Sequence, residues 1–126
     1  MFGRLKELAR SGFLKLLKPL AKKGVIQLVQ REGDKLQNNV GAALVHQGPE
    51  AVDKLFDSWQ ARILSGLNTL QFLPDWIRHH ALRIVQDEGD KMQQRVKDAA
   101  LNGGPRAVDL VFDHSQRLII ERINAL

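Results

Sequence analysis

Cysteine is absent from the 126-residue chain, and with it disulfides, thiolate metal sites and thiol nucleophiles. Tyrosine is also absent, aromatic residues make up only 6%, and β-branched runs are few, which argues against a sheet. No run of about 18 apolar residues occurs, so no segment reads as a membrane-spanning helix. The opening, MFGRLKELARSGFLKLLKPLAKKG, makes a poor secretory signal, because lysines interrupt its apolar part and no small-residue cleavage site follows. Glu7 and the scarcity of serine count against a mitochondrial presequence. Catalytic signatures are missing as well: there is no Gly-x-Ser-x-Gly, P-loop, dinucleotide fingerprint or His-Glu-x-x-His. No catalytic residue, metal ligand, cofactor or small-molecule substrate is therefore expected. The expected location is cytoplasmic, peripheral to a membrane, or in a virion.

Charge is present but unevenly placed. Residues 1–23 hold seven Lys or Arg against Glu7 alone, 7 − 1 = +6, while the whole chain is +5. Residues 24–126 therefore sum to −1. Attraction to a polyanion or an anionic surface belongs to that one basic segment.

The remainder is written twice. At an offset of 56, VQREGDKLQNNVGAALVHQGPEAVDKLFDSWQARI (29–63) aligns without a gap with VQDEGDKMQQRVKDAALNGGPRAVDLVFDHSQRLI (85–119). Eighteen of the 35 pairs are identical. A weaker likeness runs upstream, with Leu14, Leu17 and Lys22 over Leu70, Leu73 and Arg78. A period of this size belongs to stacked helical repeats.

Each copy reads as a helical hairpin. Val25, Leu28, Val29, Leu36 and Val40 follow helical spacing, as do Leu82, Val85, Met92 and Val96. Gly48 and Gly104 end these helices, and Pro49 and Pro105 suit the first position of the next. Val52, Phe56, Trp59, Ile63 and Leu67 then match Val108, Phe112, Ser115, Ile119 and Ile123. The expectation is an all-α protein: a basic amphipathic helix over 1–23, a hairpin over 24–67, a linker over 68–79 and a second hairpin over 80–126. The two hairpins close into a four-helix bundle.

Gly33 and Gly89, inside the repeated EGDK, fall beside the apolar stripe at mid-helix. Glycine costs about 1 kcal/mol there against alanine, and close backbone approach is its usual reason. EGDK is thus expected where the two long helices cross, with Glu32, Asp34 and Lys35 turned to solvent or to salt bridges. The rival reading is a carboxylate cation site of Glu32, Asp34, Glu88 and Asp90, although the Glu-x-x-His of bundle metal sites is missing. Asp53 and Asp109 lie in first turns, where negative charge complements the helix dipole. His46, His79, His80 and His114 have no counterparts across the repeat and are expected at the surface. In LQFLPDWIRHH, Trp76 packs over the bundle end or anchors an interface. Leu110 and Leu118 replace Lys54 and Arg62 of the first copy, which marks the second hairpin as a candidate subunit contact.

In the basic segment, Phe2, Leu5, Leu8, Phe13, Leu16, Leu17 and Leu20 share one helical face. Arg4, Lys6, Arg10, Lys15, Lys18, Lys22 and Lys23 take the remainder. One apolar face with surrounding lysines is the pattern of a helix lying in a membrane interface. Packing on the bundle and assembly with a neighbouring subunit rank first for this segment, an anionic membrane second and nucleic acid third. The last lacks aromatic stacking or a recognition motif. Over about twenty residues the opening resembles short cationic amphipathic membrane-active peptides, which implies lipid affinity. Small all-helical proteins with a basic arm include virion components and membrane-associated scaffolds, an analogy of architecture. The expected function is a non-enzymatic structural or interaction protein that self-associates and docks through this helix on a membrane or partner subunit. A nucleic-acid packaging or coat role is the alternative, and a carboxylate metal protein or enzyme the second alternative.

Overall fold

Two glycines set the hairpin turns. Gly48 has φ 92° and Gly104 φ 76°, the left-handed region where a Cβ is strained. A proline follows each and opens the next helix, where its missing N–H has no partner to lose. The computed structural model describes the backbone of residues 2–70 and 73–126, and side chains from residue 18 onward except at positions 49, 71 and 72. Four helices account for it: α1 Phe2–His46, α2 Pro49–Thr69, α3 Asp75–Asn102 and α4 Gly104–Asn124. No strand occurs among the described residues.

The helices form an antiparallel four-helix bundle. α1 lies beside α2 and α4, and α3 beside the same two, so α1 and α3 face each other across a diagonal. Val25, Leu36, Val40, Val52, Phe56, Ile63, Leu67, Ile77, Val96 and Ile123 fill the core. At its centre Phe56 of α2 stacks on Phe112 of α4, ring centroids 6.2 Å apart, and Trp59 meets Phe56 edge-on at 6.1 Å. Such rings bury large apolar areas and add a geometric preference of about 0.5–1.5 kcal/mol per pair.

Across the α1/α4 and α3/α2 seams one contact recurs at positions 56 apart, and another recurs with its acceptor displaced by one residue. Lys22 Nζ donates to Asn124 O at the end of α4 (2.8 Å), and Arg78 Nε donates to Leu67 O near the end of α2 (3.4 Å). Gln37 Nε2 donates to Asp109 (3.0 Å), and Gln93 Nε2 to Asp53 (2.7 Å). Gly33 and Gly89 each face the short helix of the other hairpin. A Cβ on Gly33 would stand 3.0 Å from Gln116 Oε1 of α4, and one on Gly89 2.7 Å from Trp59 Cζ3 of α2. Close approach at both glycines is present, and the nearest groups belong to the short helices rather than to the other long helix. At its glycine each long helix meets the short helix of the other hairpin, while the two long helices also approach each other at a few positions.

Three boundaries also differ from the sequence reading. No break separates residues 23 and 24: α1 runs on for 45 residues, roughly 68 Å, with Pro19 inside it. α2 extends to Thr69 and α3 begins at Asp75, so the connection is shorter than 68–79. Pro74 precedes α3, and Arg78 ties the turn by donating to Asp75 Oδ1 at 2.7 Å and to Leu73 O at 3.4 Å. The donors of that one arginine take the place of an extended linker.

Candidate docking surface

The amino-terminal half of α1 leaves the bundle where α2 and α4 end. Gly24 lies against Leu70, the residue capping α2, with a built Cβ 3.7 Å from Leu70 Cδ2. Lys22 reaches the last turn of α4. Residues 2–17 continue the helix beyond that level.

The register of this extension decides what it can do. Ala9, Phe13, Leu16 and Leu20 stand 16 residues before Val25, Val29, Glu32 and Leu36, all of which are buried. Sixteen residues at about 100° each make 1600°, which leaves about 160° after whole turns. In sequence register alone, on an ideal helix, positions 9, 13, 16 and 20 thus stand about 160° from the core positions 25, 29, 32 and 36. The described residues at the junction agree. Leu20, the last member of the stripe, is 64% exposed, whereas Leu36 is buried. Lys18 and Lys22, on the core side of the same turns, touch the bundle: Lys18 Nζ stands 5.5 Å from the Trp76 ring centroid, and Lys22 holds Asn124 O. A cation over an indole is worth about 0.5–1 kcal/mol at an exposed site. A lysine at the carboxyl end of α4 complements the negative end of its dipole.

Around this junction runs an open groove of about 710 Å³, lined by Lys18, Lys22, Lys23, Gln27, Gln30 and Asn124 with Pro19 and Ile26. None of its three lysines belongs to an ion pair among the described residues. Trp76 is 46% exposed beside it, its ring edge-on to His80 at 6.2 Å.

Of the other residues singled out in the sequence, Phe2, Arg4, Leu5, Lys6, Leu8, Arg10, Phe13, Lys15, Leu16 and Leu17 lie on α1, with side chains outside the described set. Leu110 is exposed and Leu118 half-buried. Val45 and Leu101 are also exposed, and Val45 lines a notch of about 290 Å³ with Leu44, Ala100, Pro105 and Val108. All four histidines are exposed. Ser115 is buried and its Oγ has no partner, while His114 beside it in sequence is exposed, so the two form no nucleophile–base pair.

The repeated carboxylates do not converge. Asp34 and Asp90 are exposed, and no group of three or more potential metal ligands occurs among the described residues. Glu32 and Glu88 are buried and each is matched to cations of its own hairpin. Arg62 Nε stands 3.1 Å from Glu32 Oε2, with Lys35 and Arg31 at 3.6 and 3.7 Å from Oε1. Oε2 nevertheless accepts no aligned hydrogen bond, so its contact with Arg62 is coulombic. Arg122 donates to Glu88 Oε1 at 2.9 Å, with Lys91 at 3.8 Å. Sequence alignment could not reveal these arginines. Arg62 pairs in the repeat with Leu118, and Arg122 with Gly66, so the two carboxylates are answered one helical turn apart.

Comparison with protein-family models, with characterised proteins and with solved structures returns no match.

Proposed function

We propose that the chain is a non-enzymatic docking protein. The bundle is a rigid body, and the basic amino-terminal half of α1 lies on an anionic membrane surface. The half-turn between the two stripes carries this reading. An arm whose apolar positions continued the core stripe would extend the bundle's own packing. On an ideal helix the sequence register turns those positions by about 160° from the core stripe, the reading that exposed Leu20 supports. Exposed Leu20, with Lys18 and Lys22 engaged on the other side, anchors the register in described residues.

Lipid suits the chemistry of the arm better than nucleic acid. The stripe is a third or more of the helix circumference, wider than phosphate contacts require. Its composition of Phe and Leu edged by Lys and Arg matches interfacial helices, where apolar side chains enter the headgroup boundary. Each basic residue near an anionic surface contributes about 1 kcal/mol. The +6 of residues 1–23 against −1 for the remainder directs that attraction to the arm.

Co-sedimentation with vesicles of phosphatidylcholine and phosphatidylserine tests the reading. The full chain is expected to bind, and Leu5→Glu with Leu16→Glu to lose at least tenfold in affinity, because two charges would enter the apolar boundary. Binding that survives both changes but disappears at high salt would assign the arm to polyanions instead.

A further inference from the structure

We infer that the surface between the two hairpins is a pairing interface for a second copy of this chain, with Trp59 and Ser115 as the residues that decide which hairpin meets which. The chain crosses from the first hairpin (α1 and α2) to the second (α3 and α4) once, between Thr69 and Asp75. With no cysteine present, every other link between the halves is a noncovalent contact. Phe56 stacks on Phe112 at the centre. Lys22 and Gln37 of α1 reach Asn124 and Asp109 of α4, and Gln93 and Lys97 of α3 reach Asp53 of α2. The cations around buried Glu32 and Glu88, by contrast, come from the same hairpin as the carboxylate. Each hairpin thus matches its own buried charge and needs a partner only for its apolar face. A hairpin from another copy offers the same face as the one in the same chain.

Trp59 and Ser115 hold equivalent positions of the repeat, and both are buried. Neither Trp59 Nε1 nor Ser115 Oγ has a hydrogen-bond partner among the described residues, so volume rather than bonding sets their match. The Trp59 ring fills the space beside Gly89, 2.7 Å from a built Cβ, whereas the nearest atoms at Gly33 are those of Gln116. One indole therefore serves a core with two equivalent places for it. Two first hairpins would bring two indoles and overpack the core, and two second hairpins would bring none and leave a cavity. Only the unlike pairing is filled once. Two chains that exchange hairpins make two unlike bundles and close as a dimer, with no free surface to propagate a filament. The connection within a chain gives its own hairpins a high effective concentration, so exchange rises with protein concentration. The pairing does not rest on the membrane reading.

The test uses full-length variants. Trp59→Ser leaves a bundle with no indole and Ser115→Trp a bundle with two, and each alone is expected to lose at least about 10 °C in thermal midpoint. Both changes in one chain restore a single indole, and that variant is expected to recover most of the loss as a monomer. An equal mixture of the two single variants, refolded together from urea, is expected to recover as well, at twice the monomer mass by light scattering, because exchange gives every bundle one indole. The native chain refolded at high concentration is expected to show the same doubled mass in a fraction that rises with concentration. A mixture that melts as the sum of its parts, or a native chain that stays monomeric at every concentration, overturns the second copy as partner. A Ser115→Trp chain as stable as the native one, or a double variant no more stable than the single ones, overturns the role of Trp59 and Ser115.

Discussion

Gly33 and Gly89 occupy matched positions, yet their surroundings assign them different tolerances. A methyl group at Gly33 meets the flexible end of Gln116, a partly exposed side chain that can move aside. The same group at Gly89 meets the ring of Trp59, which is fully buried and wedged against Phe56. Gly33→Ala is therefore expected to be neutral or to stabilise by up to about 1 kcal/mol through helix propensity. Gly89→Ala should cost about 1–3 kcal/mol, the usual penalty for overpacking, less that propensity gain. Urea denaturation of both variants reads the difference, and equal effects would contradict the packing described. Asp53 offers a second test. The bond from Lys97 at 2.6 Å, with one from Gln93 at 2.7 Å, holds its carboxyl below the ordinary value of 3.8. A depressed acid stabilises the fold above its unfolded pKa, and that contribution fades as pH falls through the folded value. The stability gap between the native chain and Asp53→Asn should thus be constant above about pH 5 and shrink as pH falls below it. A gap that widens on acidification would contradict the bond.

At the level of elements, the helices were legible because their signals are local. Gly-Pro at 48–49 and 104–105, and apolar spacing on either side, mark all four. The bundle itself followed from two hairpins with short turns. Which helices touch was not legible, since periodicity gives a face but not a partner. The diagonal placement of α1 and α3 decides that, and it moved both glycine contacts onto the short helices. The boundary expected at residue 23 failed for a related reason. A change in composition looks like a change of element, but Lys22, Lys23 and Gly24 continue one helix without interruption. The buried state of Glu32 and Glu88 was hidden too, because their arginines come from non-equivalent positions. The candidate site was legible as an amphipathic pattern. Its significance was not, because phase matters only once α1 is known to be continuous. That phase carries a prediction at this scale. Leu5→Glu with Leu16→Glu should leave the thermal midpoint of the bundle unchanged within about 2 °C, as befits surface substitutions. A large loss would place those positions in the core.

For the molecule as a whole, a bundle of net charge −1 carries a basic helical extension. The chain has no cysteine, so a single introduced cysteine carries a fluorescent probe without competing sites. The most direct measurement places an environment-sensitive label at Leu20→Cys and, separately, at Gln47→Cys near the opposite end of the bundle. Each is exposed to an aqueous quencher with and without anionic vesicles. The account predicts that the label at position 20 is open to the quencher in solution and shielded on vesicles, while the label at position 47 stays open in both. A label at position 20 that is already shielded without lipid, or that stays open on vesicles, would contradict it.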